Sequence, residues 1–438
     1  MFAAIVALCF WLSAWLRSDE LALDYSALAV ELRPADSAVN GYSLIREFSD
    51  DYQDSLGESY DDVFLAERAD WDLVRMKEMV YQRQKLLEAF EVGLRMELFK
   101  FDQPISPDTL IPEVGHFRRF VQTKLLQARI AELEGRPDDA LQTLLELESN
   151  IEKYAGSGGG LINMLTAIAC AQILNEAVED LLAHANLEVQ VLKAAQRDYD
   201  IGERLTSSAQ IAFRYEFHFA CNSIDIVLES PEQFTGDLSQ GESLIAEWNN
   251  RKNRARMRYL FKVNRTKNNF FRVYEEIVRE LPKPANKREF ASFNQLAADA
   301  SQESYERFLT RNMIGRLLTS ILLPAIHRVI ERVDVIQARC SVTRLTIGLK
   351  AYYIDHQELP DRLEDLVPDY VHAIPVDPFD GESLRYDKKQ AILYSVGSDF
   401  VDNGGSDLPF AFELEEDDAG DEAENDETEP TFPLRFAM

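Results

Sequence analysis

Leu161 to Ala183 reads LINMLTAIACAQILNEAVEDLLA, and its periodicity decides the fold class. Leu161, Met164, Leu165, Ile168, Ala171, Leu174, Val178 and Leu181 recur at helical spacing and give a wide apolar face suited to a helical bundle. The same rhythm extends in both directions. Toward the N-terminus, Leu73, Met76, Met79, Val80, Leu86, Leu87, Phe90 and Leu94 carry it through Trp71 to Leu98, and Phe117 to Leu133 repeats it. Gly135-Arg136-Pro137-Asp138-Asp139 then reads as a helix stop followed by a start, with Asp138 or Asp139 at the positive end of a helix bearing Leu141, Leu144, Leu145 and Leu147. Toward the C-terminus, Leu317 to Ile326 (LLTSILLPAI) is an apolar run too short to cross a bilayer, and Pro324 is expected to kink or restart its helix. The stripe continues through Val329, Ile330, Val333, Ile336, Cys340, Thr343 and Ile347 and ends near Asp355. The fold class is therefore mainly α, with a multi-helix body over residues 36–312.

The chain has 438 residues, of which 46% are apolar, enough for a full core and for two or three domains. Its 19 glycines and 4 cysteines exclude collagen-like and disulfide-dense classes. Acidic side chains number 76 against 46 basic ones, a net charge of −30, which argues against nucleic acid as a partner. The charge is uneven. Glu413 to Glu429 holds eleven acids and no base, so residues 410–438 read as an acidic, disordered tail. Arg251 to Arg288 holds thirteen bases against three acids; these are expected to face acidic parts of this chain or a partner, with Phe270, Phe271 and Tyr274 as core.

Residues Phe2 to Leu16 (FAAIVALCFWLSAWL) carry no charge and would reach about 22 Å as a helix. That is short of a roughly 30 Å hydrocarbon core, and no basic n-region precedes the apolar stretch. Residues 1–17 read as an uncleaved signal anchor; the alternatives are an apolar helix docked on the body or a cleaved signal. Cys9, Cys170, Cys221 and Cys340 are too scattered for a disulfide framework, and Cys170 and Cys340 read as buried thiols.

Catalytic motifs are missing from the sequence: there is no nucleophile elbow, zincin helix, Walker A or Rossmann glycine pattern. Gly156-Ser157-Gly158-Gly159-Gly160 opens a helix but lacks the Lys and hydroxyl of a P-loop, so it reads as a flexible connection between packed helices. Glu216, His218 and Cys221 form one tight polar cluster. His218 and Cys221 share a helix face and could supply two metal ligands, but no second pair is evident. Function is expected to be non-enzymatic.

After Gln357-Glu358-Leu359-Pro360 the character changes. Leu363, Leu366 and Val367 mark a short turn, Ser383 to Tyr386 and Ala391 to Ser395 read as a hairpin, and Gly397 to Gly405 as an acidic loop. The ordered set Leu349-x-x-Tyr352-x-x-Asp355-His356-x-x-Leu359-Pro360, Leu363-x-x-Leu366, Ile374-Pro375-x-Asp377-Pro378-Phe379, Leu384-x-Tyr386 and Tyr394-Ser395-Val396-Gly397-Ser398-Asp399 resembles the globular head of the type II secretion major pseudopilin. The match spans Arg344 to Gly405. The whole chain is similar to planctomycete and verrucomicrobial helical proteins that carry such a head, and the Gly135-x-x-x-x-Ala140 hairpin resembles half a tetratricopeptide repeat.

The resemblance implies a long helix plus a small α+β pseudopilin-like head with a short antiparallel sheet over residues 313–409. It also implies a calcium ion in the loop after the last strand, with Asp399 as ligand and Val396 and Val401 offering carbonyl oxygens. Asp402, Asn403 and Asp407 add oxygens of the kind calcium prefers. The chain departs from that family at its N-terminus, where the peptidase site is missing. The expected function is a membrane-anchored, extracytoplasmic (periplasmic, inner-membrane) structural or interaction protein related to type II secretion pseudopilins. Its expected partners are protein components of secretion or the envelope, and the membrane through the N-terminal segment. The alternative is a cytoplasmic helical scaffold with no membrane anchor.

Overall fold

A computed structural model describes residues 18–31, 35–53, 61–64, 66, 68–103, 106, 109–229, 261–301, 312–404 and 431–433. The anchor segment 1–17, the basic run 251–258, Asp407 and most of the acidic tail lie outside the described residues. Twelve helices are described: α1 (Gly41–Asp51), α2 (Asp61–Phe64), α3 (Leu73–Gln82), α4 (Gln84–Arg95), α5 (Pro112–Leu133), α6 (Pro137–Ala155), α7 (Gly160–His184), α8 (Val189–Asp198), α9 (Ile201–Glu229), α10 (Val263–Glu280), α11 (Ala291–Ser301) and α12 (Met313–His356). The expected helix over residues 71–98 is two helices, broken at Arg83.

The helix that opened the reading is the centre of the body. α7 packs against α5, α6, α9 and α12, and Met164, Ala167, Cys170, Ala171, Leu174 and Val178 are fully enclosed. It is long and apolar enough to cross a membrane, yet its apolar face is the protein core. α5 and α6 form an antiparallel hairpin through Gly135, whose φ of +77° makes the turn, and Pro137 begins α6 with Asp138 and Asp139 in its first turn. α1 crosses α4 at Gly41 and Gly93. A Cβ on Gly41 would sit 1.9 Å from the Gly93 carbonyl oxygen, so only glycine permits this approach.

The last helix joins body to head. α12 runs 44 residues, about 66 Å, without restarting at Pro324, and ends where Gln357 adopts φ +58° ahead of Pro360. It packs on α7, α8, α9 and α11, and Val333, Leu345, Ile347 and Leu349 are buried. Leu363, Leu366, Leu384 and Leu393 of the head belong to the same continuous apolar cluster. β1 (Arg385–Asp387) and β2 (Ile392–Tyr394) pair antiparallel, Tyr386 opposite Leu393. Where disorder is expected, the described residues of the tail form β3 (Thr431–Pro433), which pairs antiparallel with β2 and gives the order β1-β2-β3. β2, flanked on one side only by β1, leaves a row of backbone groups that this segment satisfies.

A loop of the body closes on the head. The N–H groups of Ala285 and Asn286 donate to the carbonyls of Pro378 and Phe379, both at 2.9 Å. Arg288, from the same loop, forms a buried two-pronged ion pair with Asp334 on α12, at 2.6 Å for each prong.

Candidate functional site

In the head, one buried carboxylate holds the two most distinctive motifs together. Asp377 is fully enclosed; its Oδ1 accepts from the Phe379 N–H at 3.0 Å and the Ser395 hydroxyl at 2.9 Å. Its Oδ2 accepts from the Val396 N–H and from Arg385 Nη1, each at 3.0 Å. Asp-Pro-Phe and Ser-Val-Gly are thus two ends of one hydrogen-bonded knot. Burial pushes the Asp377 carboxyl above its ordinary range, while these donors pull it back.

Arg385 is the residue that sequence reasoning missed. Its guanidinium also pairs bidentately with Asp380 and lies 3.9 Å from Asp402 Oδ2. The hydrogen bonds to Asp380 raise its pKa further. The available signal was a lone arginine in a short strand, flanked by three aspartates.

The expected calcium residues follow directly on β2. Val396 is buried with its N–H committed to Asp377, whereas Val401 is exposed. Asp399 Oδ1 accepts from the Val401 N–H at 2.9 Å, a local turn. Asp402 Oδ1 accepts from the Gly404 N–H at 3.0 Å and the Tyr394 hydroxyl at 3.3 Å. Among the described residues no group of three or more His, Cys, Asp or Glu side chains converges as a metal site. Calcium needs six to eight oxygens. Asp407, another oxygen donor of the expected set, lies outside the described residues.

The Glu216, His218 and Cys221 cluster also separates. Glu216 reaches back to the N-terminus of α7, where its Oε2 accepts from the Leu161 N–H at 3.2 Å, and burial raises its pKa. That carboxylate occupies the place where a phosphate would sit on a glycine-rich loop. The loop is packed rather than slack: Gly158 has φ +100°, and a Cβ there would come within 2.6 Å of the Tyr215 ring. His218 Nε2 lies 2.9 Å from the Leu28 carbonyl oxygen. Cys221 is buried and pushed up to about 12 by desolvation, as are Cys170 and Cys340; all three are free thiols.

A cleft of about 610 Å³ lies between α5, α6 and α7, under the segment around Trp71. Arg68 and Arg129 each stack on Trp71 at 4.8 Å; Arg68 is paired with Glu132 and Asp180, and Arg129 donates to the Phe64 carbonyl at 2.7 Å.

The residues that follow the apolar N-terminal segment are clamped. Asp19 caps α10 from outside, its carboxylate accepting from the Asn264 N–H at 2.9 Å and the Arg265 N–H at 3.2 Å. Asn268 uses its whole amide on the same strand: Oδ1 accepts from the Leu23 N–H and the Tyr25 hydroxyl, and Nδ2 donates to Glu20 Oε2 and the Leu21 carbonyl.

No family model, curated protein or solved structure matches the chain.

Proposed function

We propose that this chain is a non-enzymatic, membrane-anchored interaction protein of the extracytoplasmic side, with a helical body that rigidly carries a pseudopilin-like head. The observation that carries the reading is the clamp on residues 19–25. Because Asp19 and Asn268 fix this strand on α10, an anchor formed by residues 1–17 would leave the body at one defined point and hold it in one orientation. The α5–α6 hairpin, akin to half a tetratricopeptide repeat, and the neighbouring helices would then offer surface to protein partners of secretion or the envelope. The knot at Asp377 supports the likeness of the head, since it gives the Asp-Pro-Phe and Ser-Val-Gly motifs a shared structural purpose.

The test is topology. Alkaline phosphatase and green fluorescent protein are fused in turn after Met438 in a Gram-negative host, and membranes are washed with carbonate. Phosphatase activity with retention in the washed membrane is the expected result. Fluorescence without phosphatase activity refutes it and leaves the cytoplasmic scaffold.

A further inference from the structure

A second cleft, of about 420 Å³, lies where body and head meet. Its lining comes from three elements: Lys193, Gln196 and Arg197 of α8, Arg344 of α12, and Pro368 to Tyr370 with His372 of the head. Lys193, Arg197, Arg344 and His372 line it beside one acid, Asp369, and two of the cations, Lys193 and Arg344, are backed by Asp355 and Asp200. Acid and base are thus locally balanced on an otherwise acidic chain, and Arg197 is the cation that no carboxylate pairs among the described residues.

The groups are held in place. The Arg344 Nε donates to the Gln196 carbonyl at 3.3 Å, and its Nη1 lies 3.7 Å from Asp200. Lys193 Nζ lies 3.4 Å from Asp355 and 4.1 Å above the Tyr370 ring, whose hydroxyl donates to Asp355 at 2.8 Å. Arg197 and His372 are exposed and have no ion pair or hydrogen bond among the described residues. Gln196, 1% exposed, lines the floor, and its Nε2 finds no acceptor. A buried amide donor left unmatched is costly and calls for an acceptor from elsewhere.

We propose that this cleft binds a compact phosphoryl anion, inorganic phosphate or a small phosphate monoester, at the joint between body and head. Arg197 and His372 close on it from the rim, Arg344 and Lys193 supply charge from the walls, and the Gln196 amide donates from the floor. The site is independent of the anchor and of the pseudopilin likeness. A phosphoryl group suits it because its oxygens can accept from several directions at once, whereas a lone carboxylate offers two.

Isothermal titration of the full chain at low ionic strength tests the site, with inorganic phosphate, glycerol 3-phosphate and citrate as probes. The expected result is saturable one-to-one binding of the two phosphoryl probes. Arg197→Gln, an exposed change that leaves the fold intact, should weaken binding at least about tenfold, and His372→Gln should also weaken it. Gln196→Leu should abolish the contribution of the floor; Arg95→Gln, a distant exposed change, should leave affinity as it was. Absence of phosphate binding in the millimolar range overturns the proposal. So does binding that ignores Arg197→Gln, and so does a site that takes citrate but neither phosphoryl probe.

Discussion

Asp377→Ala removes the acceptor on which the head turns. Four donors lose their partner together: the N–H groups of Phe379 and Val396, the Ser395 hydroxyl and Arg385 Nη1. Arg385 retains Asp380, and the Ser395 hydroxyl can rotate, so the uncompensated loss falls on two buried backbone N–H groups. At about 1–3 kcal/mol for each stranded donor, the head should lose roughly 2–6 kcal/mol. Water entering beside Arg385, whose side chain is 18% exposed, favours the lower half of that range. Asp377→Asn keeps the shape and one oxygen and should cost about half as much. Hydrogen exchange read on peptides covering residues 374–397 is the assay. Protection there should fall by roughly a hundredfold in the alanine variant, while peptides of α7 keep theirs. A fall of less than about tenfold, or an equal fall across α7, would refute the view of Asp377 as the knot of the head.

Burial pushes Glu148 up to about 7, against the Asp200 N–H that it accepts at 3.0 Å and the charge of Arg204. The folded chain therefore holds this proton more tightly than the unfolded one, and the stability it lends is complete below the usual 4.5 and lost as pH rises through about 7. Glu148→Gln should flatten that fall in the urea midpoint and exceed the wild type at pH about 8; an unchanged slope counts against it. Gly158→Ala must adopt φ +100° against the Tyr215 ring and should cost more than about 2 kcal/mol, whereas Gly115→Ala, in open space on α5, should stabilise by up to about 1 kcal/mol; thermal unfolding reads both signs. Arg385→Met should lower the unfolding midpoint of the head, since it removes the pairs to Asp377 and Asp380; an unchanged midpoint counts against it, and a wild-type midpoint that drops on chelation would place calcium in the loop. Arg288→Met strands the buried Asp334 and should cost about 3–5 kcal/mol, with most of it recovered in the double variant Arg288→Met, Asp334→Leu; equal losses in single and double variants would show that the guanidinium matters only for its bonds to Leu281 and Lys283.

Periodicity made the helices legible, since a bundle buries one face of each and leaves a 3.6-residue trace. The α5–α6 turn was readable because Gly135 and Pro137 have local conformational reasons to be there. Pro324 does not restart the helix, since α12 runs unbroken from Met313 to His356. β3 was hidden because three residues at the end of an acidic tail carry no pattern; only the open edge of β2 explains their pairing. The candidate sites were less legible still. Asp399 and Asp402 suggest calcium ligands by type, while the turns that their Oδ1 atoms close with the Val401 and Gly404 N–H groups are visible only in the fold. The cleft at Gln196 draws on α8, α12 and the head, which are far apart in sequence, so no motif could announce it.

The way body and head are joined bears on what either can do. A head tethered by a linker would move independently, and partners could bind it without consequence for the body. Here α12 belongs to both cores, the Ala285 and Asn286 N–H groups bond to the head, and Arg288 locks the same loop to α12. Lys193, Asp355, Tyr370 and His356 add a second seam at the C-terminal end of α12, with His356 Nε2 3.1 Å from the Tyr370 hydroxyl. The phosphoryl cleft borders that seam, with Lys193 and Tyr370 common to both. An anion seated there draws Lys193 away from Asp355 or shares it, so its binding free energy is coupled to the joint itself. Ligand occupancy should therefore change hydrogen-exchange protection at the C-terminal end of α12 and around Tyr370, and a partner that reads the head would sense the anion through that seam.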